Sequence, residues 1–126
     1  MKDLNEISGT IVDAAYHVHT KLGPGLLESV YEAVLAYALT KRGLSVARQV
    51  TVPVTYDELR FEEGFRADLI VENSVLVELK SVEMIAPVHG KQVLTHLKLL
   101  AYRLGLLINF GAPLLKDGIK RIANNL

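Results

Sequence analysis

Asp68, Glu78 and Lys80 are the residues of this 126-residue chain whose types and spacing best suit chemistry. They lie between Phe65 and Ser81, a stretch that reads as two β-strands around a polar turn at Glu72, Asn73 and Ser74. Period-two alternation puts Phe65, Ala67, Leu69 and Val71, then Val75, Val77 and Leu79, on one face. Arg66, Asp68 and Ile70, then Leu76, Glu78 and Lys80, fall on the other. A three-residue turn pairs Val71 with Val75 and therefore Asp68 with Glu78. A two-residue turn would send those carboxylates to opposite faces. Only the odd-length turn keeps each face of one character. The two carboxylates are then about 5 Å apart at Cβ, with Lys80 next along the same face. Like charges directly opposite destabilise a sheet, and a divalent cation between them removes that penalty. Without that context, Glu78 with Lys80, or Asp68 with Arg66, also fits an exposed ion pair worth at most about 1 kcal/mol.

These residues need elements to position them. Ile7, Ile11, Ala15, Val18 and Leu22 recur at helical spacing and predict a helix over residues 4–22. His17 and His19 are two apart, point in different directions and are not expected to share a metal. Gly23-Pro24-Gly25 breaks the chain. A second helix is predicted from about Leu26 to Arg42, with Gly43 as its cap and Leu27, Val30, Tyr31, Val34, Leu35, Ala38 and Leu39 as its buried stripe. Glu28 lies in its first turn, where the helix dipole favours a negative charge, and Tyr31 is its neighbour three residues on. Residues 45–56 read as extended, with Pro53 marking an edge position or a bulge. Asp57-Glu58 turns the chain, and Leu59 to Glu63 lead into the hairpin as further strand.

Beyond the hairpin, Pro87 opens a third predicted helix over residues 87–104. Its core stripe is Val93, Leu94, Leu97, Leu100, Ala101 and Leu104. Its polar stripe is His89, Gln92, His96 and Arg103, and Gly105 ends it. Leu106 to Phe110 suits a buried strand. Ile119 to Asn125 reads as either a short helix or a strand. The three consecutive strands imply an antiparallel meander, and the strand–helix–strand from 75 to 110 implies a right-handed crossover to a parallel neighbour. The expected class is α/β with a mixed sheet and helices on its faces.

Composition bounds the rest. The length suits one domain, residues 1–126, and half the residues are hydrophobic, enough for a substantial core. There is no cysteine, hence no disulfide framework and no thiolate metal site, which fits a reducing cytoplasm. No apolar run reaches the roughly 20 residues of a membrane span, and the N-terminus does not read as a signal peptide. Fourteen basic residues balance fourteen acidic ones, but residues 57–83 carry −5 and residues 98–126 carry +4. A neutral chain is not an obvious nucleic-acid binder. An acidic centre beside a basic rim is compatible with a site that holds metal and meets phosphate.

Asp68 followed by Glu78-Leu79-Lys80, with a preceding helical Glu28 and a following helical Gln92, resembles the PD-(D/E)XK nuclease superfamily over about residues 25–110. Gly25-Leu26-Leu27-Glu28-Ser29-Val30-Tyr31 is similar to the motif that names the GxxExxY family within it. Arg66 to Leu69, Val77 to Lys80 and Leu104 to Phe110 look like that family too. The resemblance implies a restriction-endonuclease-like αβββαβ core with an extra N-terminal helix, and a metal-dependent nuclease acting on DNA or RNA. It implies Asp68 and Glu78 as metal ligands and Glu28 completing the site directly or through water. The Leu79 carbonyl is a further possible ligand. Oxygen donors of this kind suit one or two Mg²⁺ or Mn²⁺ ions. Lys80 would orient or deprotonate the attacking water. Gln92, Tyr31 and His96 would contact substrate, His96 standing where a Gln-x-x-x-Tyr motif has Tyr. The competing reading is a non-catalytic nucleic-acid-binding or assembly module that keeps the fold. A homodimer through the apolar N-terminal helix is a further expectation.

Overall fold

The computed structural model describes residues 3–126. Helix α1 (Leu4–Leu22) starts where the Asp3 side chain accepts the Glu6 N–H, and α2 (Glu28–Lys41) follows the Gly-Pro-Gly break. Strands β1 (Val46–Tyr56), β2 (Leu59–Val71) and β3 (Val75–Lys80) form the meander, and α3 (Pro87–Leu100) crosses to β4 (Leu104–Asn109). A short 3₁₀ turn leads to β5 (Ile119–Ala123), so the last segment is a strand. The sheet order is β1-β2-β3-β4-β5, with β3 and β4 parallel and the other pairs antiparallel.

The fold is a three-layer sandwich. Helices α1 and α2 cover one face through Ile7, Ile11, Tyr31, Leu35 and Leu39, packed on Leu69, Val77, Leu79, Leu106 and Ile108. Helix α3 covers the other through Val93 and Leu97, packed on Ile70, Leu76 and Leu107. The apolar stripe of α1 is thus spent on the chain's own core and is not free for a second copy. The α2 stripe is rotated from the expected one. Leu27 and Val30 are exposed, while Glu32 and Ala36 join Tyr31, Leu35 and Leu39 inside. Helix α3 ends earlier than the pattern predicts: Ala101 adopts a left-handed conformation (φ 58°) that terminates it. Leu104 and Gly105 therefore belong to β4, and Arg103 leaves the polar stripe of the helix.

The hairpin turn has three residues, as expected. Val71 pairs with Val75, and Glu72 and Asn73 both take left-handed conformations to close it. Pro53 sits where the β1–β2 register shifts, which is the bulge its missing N–H requires.

One rung departs from simple alternation. β1 and β2 pair at Arg48–Leu69 and again at Val50–Ala67, while Gln49 and Asp68 between them form no pair. Gln49 is left-handed, with φ 49°. Both strands change faces there. Leu69 packs under α1 and α2, whereas Ala67 and Phe65 lie on the α3 side with Val50. The expectation that Phe65 and Ala67 share a face with Leu69 and Val71 is therefore corrected: one left-handed residue resets the alternation of the ribbon.

Candidate active site

Asp68 stands where β2 and β3 part. Regular pairing ends at Leu69–Val77, and the Asp68 Oδ2 accepts the Leu79 N–H at 2.8 Å in place of a backbone carbonyl. Glu78 and Lys80 follow on β3, with Leu79 buried beneath α2. The odd-length turn thus brings Asp68 and Glu78 together at the fork. Burial raises the Asp68 pKa, and nearby Glu32 adds to the rise, partly offset by the Leu79 N–H. Glu78 is pushed up to about 8, first by burial and then by the charge of Asp68. Two adjacent, poorly hydrated carboxylates have the donor chemistry of a divalent-cation site.

The surrounding residues divide between two hollows. Glu28, Ser29, Glu32, Arg48, Gln49, Arg66, Asp68 and Leu79 line a polar cleft of about 510 Å³ on the α2 side. Glu78, Lys80, His89, Gln92 and His96 line a smaller one on the α3 side. Sequence alternation puts Asp68 on the face of Glu78 and Lys80; here the two hollows meet only at the fork, because the face change turns the Asp68 segment toward α2 while Glu78 stays under α3. Among the described residues, no three His, Asp or Glu side chains stand close enough to form a ready-made metal cage. Glu28 is exposed at the rim of the cleft.

His96 Nδ1 lies 2.6 Å from Glu78 Oε1, and its ring stacks on Phe65 with centroids 3.9 Å apart. The separation is that of an ion pair, yet burial lowers the His96 pKa and raises that of Glu78. Both shifts disfavour the charged forms, so burial opposes a full ion pair at this contact. Gln92 lines the same hollow from an exposed position, and His89 Nδ1 accepts the Ala86 N–H to cap α3. Tyr31 does not reach either hollow. It is fully buried and stacked on Phe110 at 4.6 Å, and its hydroxyl donates to the Gly23 carbonyl and accepts from the Leu26 N–H. It holds the loop that launches α2, so its expected substrate contact gives way to a structural one.

Four further residues frame the site without having been singled out from sequence. Glu32 lies one helical turn after Glu28 and is buried; its carboxylate accepts from Arg48 Nε at 3.1 Å and from the Gln49 amide. Gln49 also points to Asp68 Oδ1 at 3.4 Å. Asn109 is 1% exposed and pairs in register with Lys80. Its Oδ1 accepts the Val82 and Gly111 N–H groups, both at 3.0 Å, and its Nδ2 donates to the Val82 carbonyl at 2.9 Å. Ser81 Oγ donates to the Leu26 carbonyl at 2.6 Å, tying the residue after Lys80 to the loop before α2. The sequence signals for this set were the family-like stretch that holds Asn109 and, for Gln49, polarity beside strand formers.

A family profile described as the PD-(D/E)XK nuclease superfamily matches residues 5–122. The searches of curated proteins and of solved structures each found no match.

Proposed function

The chain belongs to the PD-(D/E)XK nuclease superfamily, and on that premise we propose that it is a metal-dependent phosphodiesterase acting on nucleic acid, with DNA the favoured substrate. The observation that carries this reading is the Asp68–Glu78 carboxylate pair at the fork, followed two residues later by Lys80. Asp68 and Glu78 would hold Mg²⁺ or Mn²⁺, with Glu28 reaching in from the cleft rim and the Leu79 carbonyl available beside them. When bound, the cation supplies charge neutralisation and Lewis acidity. Asp68 is held for this by the Leu79 N–H, which leaves Oδ1 free of any backbone bond. Glu78 Oε1 is in contact with His96, whose ring, clamped against Phe65, stays beside the ligand set. Lys80 would orient the attacking water and offset negative charge as the phosphorus becomes five-coordinate. Gln92 and His96 would meet the substrate from the α3 side. Within the superfamily, Gly25 to Tyr31 support assignment to the GxxExxY family.

No helix among the described residues is long and apolar enough to cross a membrane. A cytoplasmic, homodimeric enzyme is part of the proposal, with any dimer contact lying outside the buried stripe of α1. The test is cleavage of single-stranded, duplex and branched DNA and of RNA by the purified chain with Mg²⁺ or Mn²⁺, beside Glu78→Ala and Lys80→Ala. Both substitutions should abolish turnover. Undiminished cleavage in both would refute the assignment, and nucleic-acid binding without cleavage by the parent chain would favour the non-catalytic module.

A further inference from the structure

The face change at Gln49 and Asp68 delivers two arginines to the α2-side cleft. Arg48 and Arg66 both line it, beside Glu28, Glu32 and Asp68. Burying a carboxylate is costly unless it is paired and hydrogen-bonded. Glu32, at 6% exposure, meets that condition by accepting from Arg48 Nε and Nη2, both at 3.1 Å, and from the Gln49 amide. The same bonds fix the Arg48 guanidinium. Its Nη1 has no protein partner among the described residues, and its side chain is 50% exposed. Among the described residues, Arg66 pairs only with Glu63, and both are well exposed. Such a surface pair is weak and readily exchanged for a stronger anion. A guanidinium held by two of its donors can still present the others to a phosphate.

The charges of the cleft sharpen the picture. Three carboxylates and two guanidiniums leave a formal balance of −1. One divalent cation at Asp68 turns that balance to +1. We propose that this cleft seats the sugar–phosphate backbone of the nucleic acid, with Arg48, positioned by Glu32, and Arg66 binding phosphates that flank the one to be cut. The inference rests on the nuclease reading and adds to it a substrate-binding surface on the α2 side. Backbone seating is sequence-independent, and a bound cation would strengthen it by reversing the sign of the cleft.

The test is nucleic-acid affinity as a function of salt, measured by fluorescence anisotropy with Mg²⁺ present, in a Lys80→Ala background that stops turnover. Arg48→Ala and Arg66→Ala should each weaken binding about fivefold to tenfold at 0.1 M salt. Each should also lower the slope of log K against log salt by about 0.7–0.9, the contribution of one phosphate contact. Removing Arg48 strands the buried Glu32 charge, so Arg48→Lys is included as a variant that keeps the ion pair but loses the fork. It should bind more weakly than Arg48 while holding the slope. Arg66→Ala removes only an exposed side chain and keeps the test alive if Arg48→Ala unfolds. Binding with unchanged affinity and slope in the arginine variants would overturn this inference alone. No binding of any nucleic acid by the parent chain would overturn the nuclease reading and this surface with it.

Discussion

Replacing Asn109 with Leu should detach the segment after Lys80 and destabilise the fold by about 3 kcal/mol. The magnitude follows from the geometry. Asn109 is 1% exposed and makes three side-chain hydrogen bonds, two from N–H groups of Val82 and Gly111 and one to the Val82 carbonyl. Each is worth about 1 kcal/mol net, more if the abandoned backbone group stays dry. Leu keeps the branching of the side chain but is bulkier, so no cavity forms, and any overpacking adds to the loss of the hydrogen bonds. With an unfolding entropy of about 2.1 cal/mol/K per residue over 126 residues, the expected fall in Tm is about 11 °C. Asn109→Asp separates the contributions. It keeps the acceptor for both N–H groups but sets a second oxygen against the Val82 carbonyl, so most of the loss should persist while charge repulsion replaces desolvation. Urea unfolding followed by circular dichroism measures both. The functional consequence is specific, because the Phe110 N–H donates to the Lys80 carbonyl at 2.9 Å from the residue next to Asn109. Cleavage by Asn109→Leu should drop at temperatures where the variant is still folded. A stability loss below about 1 kcal/mol would show that Val82 and Gly111 are held by other contacts, and the reasoning would fail.

The remaining predictions concern the site and the turns beside it. Glu78 carries a folded-state pKa near 8 against a reference of 4.5, so the folded chain holds its proton after the unfolded chain has lost it. Metal-free stability should therefore fall as pH rises through 6.5 to 8; below that window His96, whose pKa is lowered from 6.5, acts in the opposite sense. Thermal denaturation across this range should show the decline, Glu78→Gln should flatten it, and a decline that survives in that variant would contradict the attribution. Asp68→Asn should weaken Mn²⁺ binding, read by titration calorimetry, without unfolding the chain, since the amide oxygen can still accept the Leu79 N–H; unaltered affinity would remove Asp68 from the ligand set. Ala101→Gly should stabilise by up to about 1 kcal/mol, because Ala101 occupies a left-handed helix terminus; a lower Tm would refute it. At Gly111, a Cβ would lie 2.2 Å from the Val82 carbonyl oxygen. Gly111→Ala should cost about 2 kcal/mol or more by chemical denaturation, and neutrality would mean that the loop yields freely.

Much of the architecture could be read from residue order because it depends on local rules. Turn length and period-two alternation set the register of the hairpin, and the structure bears out the Val71–Val75 pairing that follows from them. The Gly-Pro-Gly break, the Pro87 helix start and the Pro53 bulge each come from a backbone restriction that one residue imposes by itself. What only the tertiary structure decided depends on neighbours distant in sequence. No local pattern marks Gln49 as left-handed; it takes that conformation where its amide meets Glu32 from α2 and Asp68 from β2. That one residue turns the ribbon over, moves Phe65 and Ala67 to the α3 face, and divides the candidate site between two hollows. Glu32 looks like a surface residue in the sequence and Asn109 is a polar residue in an apolar run, and each is buried because the fold supplies its partners. The identities of Asp68, Glu78 and Lys80 were thus determined by the chain, through type and spacing. Their setting was determined by packing, because the free energy of burying a polar group depends on what the rest of the molecule places within hydrogen-bonding reach.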